Sequence, residues 1–177
     1  MSRECAKEIS LLVKAGWRLI LLETFEEERA LATLRATAKA CGRELIPWSV
    51  ASGLGATGSG AGSFDEGLRA ISTVAAPALF AVLDAHRQLS DPIALRRLRD
   101  LLDLLAERMQ SVVLIAPALD LPAELVHEAA VVELHHRVAR DVVRLPRARR
   151  GRAQDRGDLE QLGVVADLTG EIRAVGP

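Results

Sequence analysis

The residues in this sequence best suited to chemistry are those that hold phosphate and magnesium in nucleotide-dependent enzymes. A glycine-rich stretch at residues 51–63 contains five glycines, and such loops can present backbone amides to a phosphate. The apolar segment at residues 78–83 ends in Asp84, and a strand-end aspartate can bind magnesium. His86 follows two positions later and could pair with this carboxylate. One hypothesis is therefore a nucleotide site.

The same features lack the residues that would complete such a site. Gly53 and Gly58 have the four-residue gap of a phosphate loop, but Ser59 follows, and no lysine occurs after Lys39. Glycine-rich composition alone therefore favours a flexible loop. Ala85 follows Asp84, where an ATPase usually has a glutamate that activates water. Asp84 is accordingly interpreted as a turn or capping residue, and His86 as a surface or capping histidine.

A helix begins where the first strand of a nucleotide-binding domain would meet its phosphate loop. The apolar run at residues 18–22 predicts a buried strand. Thr24, with Glu27 three positions later, predicts a capping box at the start of a helix. A phosphate would be repelled by the carboxylates around this helix start, which are Glu23, Glu26, Glu27 and Glu28. The sequence thus indicates an ATPase-like layout without its phosphate site.

The elements that would position these residues follow from apolar periodicity. Helices are predicted over residues 4–15, 26–41, 64–75, 93–109 and 121–130. Strands are predicted over residues 18–22, 44–49, 78–83, 111–116 and 131–134, and Pro47 favours an edge position or strand end. Alternation of strand and helix predicts a mostly parallel central sheet with helices on both faces, a three-layer α/β/α domain.

Composition excludes several classes of protein. The chain has 177 residues, of which 49% are apolar and only 3% aromatic, so one domain with an aliphatic core and a tail is expected. A net charge of −1 gives no global signal for nucleic acid. Cys5 and Cys41 lack metal-ligand spacing, which favours a reduced, cytoplasmic chain without a metal. No apolar run reaches the roughly 18 residues of a membrane span, so no membrane partner is expected.

The composition changes at residue 135, which predicts a domain at residues 1–134 and an arginine-rich linker or tail at residues 135–177. This segment also has a short helix predicted at residues 158–166. Its positive charge could neutralise phosphates or an acidic surface, but it lacks aromatic residues for base stacking, and a solvated linker is favoured. The candidate contacts to nucleic acid or an acidic partner are Arg137, Arg140, Arg144, Arg147, Arg149, Arg150 and Arg152.

Five segments, taken in order, resemble a known family. They are ETFEEERAL at residues 23–31, WSVASGL at 48–54, VLDAH at 82–86, DPIALRRLRDL at 91–101 and IAPALDLPAEL at 115–125. They resemble the N-terminal region of a family of AAA-type ATPases found in bacteria and encoded in some algal plastids. In that family, a degenerate ATPase-like domain without a phosphate loop precedes the domain that carries the working ATPase.

The resemblance implies a degenerate P-loop NTPase core of the RecA/AAA type, without catalytic residues or a cofactor. It further implies a regulatory or protein-interaction domain whose partner is an AAA ATPase module or a second copy of the chain. Any ligand is expected at the carboxyl edge of the sheet, which is formed by Thr24, Ser49, Asp84, His86 and Pro117. One alternative is an ATPase that binds ATP and magnesium through the glycine loop and Asp84. Another is nucleic-acid binding through the arginines.

Overall fold

The computed structural model describes residues 3–89, 91–118, 121–134, 164–166 and 172–174. The chain divides into two compact units, Met1–Arg137 and Val138–Pro177. The helices of the first unit are α1 (Arg3–Lys14), α2 (Glu27–Ala40), α3 (Phe64–Thr73) and α4 (Pro92–Glu107), with a 3-10 turn at Ala85–Arg87. Its strands are β1 (Leu19–Glu23), β2 (Glu44–Ser49), β3 (Gly53–Leu54), β4 (Ala78–Leu83), β5 (Ser111–Ala116) and β6 (Ala129–Glu133).

The six strands form one sheet in the order β3-β2-β4-β5-β1-β6. All pairs are parallel except β2 with β3, a two-residue strand that pairs antiparallel with Trp48 and Ser49. Among the described residues, no strand lies on the outer side of the rest of β2, consistent with the near-edge position that Pro47 predicts. β1 lies between β5 and β6, which follow each other in the chain, so the order of the strands changes direction at β1. Open α/β sheets bind ligands at such a switch point.

Alternate residues of the strands face two separate cores, because side chains of a strand point to opposite faces. Leu19, Leu21 and Val112 belong to the core that includes the buried faces of α3 and α4. Ile20, Leu22 and Val113 belong to the core that includes α1 and α2. The predicted three-layer α/β/α fold is therefore confirmed, and the described residues place two helices on each face of the sheet.

Side chains cap the starts of two helices. The Ser63 hydroxyl accepts a hydrogen bond from the Glu66 N–H at 3.2 Å at the start of α3. The Asp91 carboxylate accepts one from the Ile93 N–H at 3.0 Å, with Pro92 in the first helical position of α4. Proline suits this position because its missing N–H would have no partner in the helix.

Two predicted helices are absent from the residues the structure describes. Residues 123–128 form turns instead of a helix, and the Leu125 carbonyl accepts from the N–H groups of Glu128 and Ala129 at 3.0 and 3.1 Å. In the second unit, Val164–Ala166 forms strand β7, antiparallel to β8 (Ile172–Ala174). The prediction of a helix ending at residue 166 is therefore wrong, because β-branched valines favour the extended backbone.

Candidate functional site

The carboxyl edge of the sheet brings several predicted site residues into one row. Thr24, Asp84 and Pro117 each directly follow one of three neighbouring strands, β1, β4 and β5, and Ser49 ends β2 beside β4. The Thr24 N–H donates to the Ala116 carbonyl at 2.9 Å, which fixes the end of β1 against β5. The parallel topology therefore gathers residues that are far apart in sequence.

The connection between β1 and α2 is the position at which a nucleotide-binding domain would have its phosphate loop. Here it contains only residues 24–26. The Thr24 hydroxyl accepts a hydrogen bond from the Glu26 N–H at 3.1 Å, and Thr24 is buried. A three-residue connection cannot form a glycine-rich loop whose amides surround a phosphate.

The predicted capping box at this helix start is wrong in detail. Glu26, not Thr24, is the residue that precedes the first turn of α2, and its side chain makes no capping hydrogen bond. Thr24 instead closes a turn two residues long, an arrangement that Ser and Thr side chains favour. Glu26 forms an ion pair with Arg29.

Negative charge and one aromatic side chain dominate the exposed surface of this connection. Glu27 and Glu28 are exposed in the first turn of α2, where carboxylates interact favourably with the helix dipole. Phe25 lies in the connection and is 82% exposed. The sequence analysis did not single out Phe25, although an aromatic residue among four glutamates was a visible signal.

Asp84 has an unusual backbone conformation after β4. Its φ of 55° lies in the left-handed region, which is uncommon for residues other than glycine but tolerated by aspartate. It is exposed, precedes the 3-10 turn and makes no capping hydrogen bond through its side chain. His86 lies in that turn, and its Nδ1 atom is buried without a hydrogen-bond partner in the described part of the chain.

Hydrogen bonds give the glycine-rich segment a defined conformation, which the prediction of a flexible loop did not include. The N–H groups of Leu54, Gly55 and Gly62 donate to the carbonyls of Ser59, Pro47 and Val50 at 2.7–2.8 Å. The indole N–H of Trp48 donates to the Gly60 carbonyl at 2.9 Å, and Trp48 is 1% exposed. The loop thus covers Trp48, a contact that local composition does not reveal.

This hydrogen bonding also bears on the glycine loop as a phosphate site. The Leu54 and Gly55 N–H groups are directed to carbonyls, that of Ser59 in the same segment and that of Pro47 in β2. Gly53 adopts a φ of +69°, and a side chain there would place its Cβ 2.2 Å from the Gly58 carbonyl oxygen. The glycines therefore serve the close approach of two backbone segments. Ser49 is similarly engaged, since its hydroxyl lies 2.6 Å from that of Ser52.

The remaining predictions concern the arginine-rich segment, metal binding and the membrane. The candidate arginines at residues 137–152 lie outside the described part of the chain. Among the residues that are described, no cluster of three His, Cys, Asp or Glu side chains could hold a metal ion. None of the helices described there has the length and apolar character needed to cross a membrane.

The fold and its switch-point edge define an α/β domain of the kind found in AAA ATPases. A family described as the SpoVK-like AAA ATPase, N-terminal domain, matches residues 5–134. This match spans most of the 177 residues, so the chain belongs to that family, and the resemblance seen in the sequence is confirmed. No curated protein sequence matches the chain significantly.

Proposed function

We propose that this domain is a non-catalytic interaction module that packs on an AAA ATPase module and regulates it. The observation that carries the proposal is the three-residue connection between β1 and α2, where the Thr24 hydroxyl is engaged by the Glu26 N–H at 3.1 Å. A connection of three residues is shorter than a phosphate loop, and its Glu26 N–H is already engaged by the Thr24 hydroxyl. As predicted from the sequence, the proposal assumes a bacterial cytoplasmic setting and no bound cofactor.

Electrostatics at the same edge support the proposal. Exposed Glu27 and Glu28 follow the connection. Their negative charges would repel the phosphates of a nucleoside triphosphate. Phe25, 82% exposed, presents an apolar ring beside these carboxylates. Aromatic residues are enriched at the centres of protein interfaces, so this edge suits a protein surface better than a nucleotide.

The first test is calorimetric titration of the whole chain with ATP and ADP, with and without magnesium. We expect no binding heat in the titration. We also expect no shift in the melting temperature of the chain when the nucleotide is present. A micromolar Kd, about −8 kcal/mol, would contradict the proposal and favour the nucleotide-binding alternative. In that case Asp84→Ala should abolish binding. A substitution of Ser59 would then show whether the glycine loop contributes to the same site.

The second test concerns the interaction itself. The chain is added to an AAA ATPase module of the same family that has an intact phosphate loop, and the ATPase rate is measured. We expect the rate to change by at least twofold, and the change to be reduced by Phe25→Ser. Ile93→Ser is the matched control, since Ile93 is 67% exposed on α4. An unchanged rate would contradict regulation of such a module.

A further inference from the structure

The opposite side of the domain from α3 and α4 has a groove between α1 and α2, of about 430 Å³. Small side chains line most of it: Ala6, Ser10, Ala36, Thr37 and Ala40. The apolar residues of these helices that face the sheet, such as Ile9 and Leu34, are fully buried. The groove is therefore a second apolar surface of the helix pair, separate from the core.

A groove of small residues allows another backbone to approach closely, but such a stripe does not by itself identify a site. Thr37 provides an independent observation. It lines the groove and is 2% exposed, and its Oγ1 atom has no hydrogen-bond partner among the residues that the structure describes. Buried hydroxyls are normally paired, so an unpaired polar group lies buried in the wall of the groove.

Positive charge flanks the same groove. The only lysines in the chain are Lys7, Lys14 and Lys39, and two of them, Lys7 and Lys14, line the groove and are exposed. They lie seven positions apart on α1, about two helical turns or 10 Å. The acidic residues of α1, Glu4 and Glu8, are exposed but do not line the groove.

Leu11 lies between the two lysines and also lines the groove. It is 69% exposed, which is a large exposure for an aliphatic residue flanked by an apolar groove. An amphipathic helix binds in this type of groove through apolar residues at helical spacing, while charges at the rim set the specificity and orientation. Lys7 and Lys14 at the rim of this groove would favour a partner helix with negative charge.

We infer that the α1–α2 groove docks an amphipathic helix of a partner protein, with two carboxylates about two turns apart that pair with Lys7 and Lys14. Between the carboxylates, this helix carries small or leucine-sized apolar residues that contact Leu11 and the alanines. The inference rests on the proposed interaction function and assigns it a surface and a partner chemistry.

The test uses a synthetic alanine-rich helical peptide with glutamates seven positions apart and a leucine midway between them. Its binding to the ¹⁵N-labelled whole chain is followed by NMR. We expect saturable shifts confined to α1 and α2, with a Kd on the order of 100 µM, weakened by added salt. A peptide with lysines in place of the glutamates should bind at least tenfold more weakly.

Two alanines of α2 offer a matched pair of variants. Ala36 lines the groove, whereas Ala32 is exposed on the same helix and does not line it. Ala36→Leu should fill the groove and weaken peptide binding at least tenfold, while Ala32→Leu should leave it within twofold. The double variant Lys7→Glu with Lys14→Glu should abolish binding and retain the circular dichroism spectrum of the folded chain.

Several results would overturn the inference. They are absence of binding at about 1 mM peptide, equal affinity for the lysine peptide, or equal effects of Ala32→Leu and Ala36→Leu. A dimer in sedimentation that Ala36→Leu dissociates would assign the groove to a second copy instead of an acidic helix. Nucleotide titration does not involve this groove, so failure here is distinguishable from failure of the proposed non-catalytic function.

Discussion

Two cysteines of the first unit differ in their chemical environment. Cys5 is 4% exposed on the inner face of α1, whereas Cys41 is partly exposed after the end of α2. Burial raises the pKa of the Cys5 thiol, and the Glu8 carboxylate raises this pKa further, against a smaller lowering by Arg29. Because the thiolate is the reactive form of cysteine, both access and ionisation disfavour reaction at Cys5.

Alkylation should therefore distinguish the two thiols. With iodoacetamide at mildly alkaline pH, we expect Cys41 to be modified at least tenfold faster than Cys5, as measured by mass spectrometry of tryptic peptides. The variant Cys41→Ser should remain almost unmodified until denaturant is added. Equal labelling rates in the native chain would show that α1 opens readily from the sheet.

The raised pKa of Cys5 also predicts a pH dependence of stability. The folded state retains the thiol proton to a higher pH than the unfolded state, in which the thiol ionises near its ordinary value of 9.0. The stabilising contribution is therefore complete below that pH and is lost as the pH rises towards the folded-state pKa. Urea unfolding across this range should show a shallower decline for Cys5→Ala than for the unmodified chain.

At the scale of elements, α3 depends on its glycine for packing against β2. A Cβ at Gly67 would lie 2.3 Å from Cε2 of Trp48, whose ring also packs on Phe64 with a centroid distance of 5.7 Å. Glycine usually weakens a helix interior by about 1 kcal/mol relative to alanine. Here the close approach of the indole outweighs that preference.

Gly67→Ala should therefore destabilise the domain, contrary to helix propensity. We expect a loss of about 1–3 kcal/mol in the free energy of unfolding, the usual cost of overpacking a core, measured by urea denaturation. In a Trp48→Leu background the same change should be neutral or stabilising, because the two residues are coupled. Stabilisation by Gly67→Ala in the unmodified chain would show that α3 does not contact Trp48 as described.

A second control for this prediction uses a glycine outside a helix interior. Gly42 has a φ of +66° and open space where a Cβ would lie. Gly42→Ala should cost only the backbone strain of the left-handed conformation, about 1 kcal/mol, whatever the background at Trp48.

At the scale of the whole molecule, the sheet order determines which strands are protected from solvent. β4, β5 and β1 each pair with strands on both sides, and β5 is buried along its entire length. In the part of the chain that the structure describes, β6 pairs only with β1, and Val131 is 53% exposed. Stability is therefore expected to be highest at the centre of the sheet.

Hydrogen exchange should follow this order. Amides of Val113 and Leu21 are expected to exchange at least tenfold more slowly than those of β3 and the outer side of β6, as measured by mass spectrometry or NMR under native conditions. The Gly55 amide, bonded to Pro47, should be intermediate because its loop is hydrogen-bonded but peripheral. Equal protection of β6 and β1 would mean that the outer edge of β6 is covered in solution.

Much of the first unit was predictable because its signals are local. The strands at residues 44–49, 78–83 and 111–116 have the bounds predicted from their apolar runs, since turn or charged residues flank each run. The Ser63 and Asp91 caps were likewise readable, because a side chain and an amide two or three positions away suffice to form them. The family resemblance rested on similarly short segments.

The site was predictable only in part. The carboxyl edge was expected from strand ends, and the parallel topology aligns Thr24, Asp84 and Pro117 there. The prediction that Thr24 caps α2 was wrong because the helix begins later than the pattern indicated. Phe25 and the α1–α2 groove were missed, since exposure depends on which neighbours the fold supplies.

The sequence by itself determined the layered α/β class, the bounds of three strands and the acidic start of α2, because these follow from periodicity and from charges near a helix end. Tertiary structure alone decided the strand order around β1. It also decided the ordered glycine loop, whose carbonyl at Gly60 accepts from the Trp48 indole. The physical reason is that these features depend on hydrogen bonds and contacts between distant segments, and such partners are set only when the whole sheet is assembled.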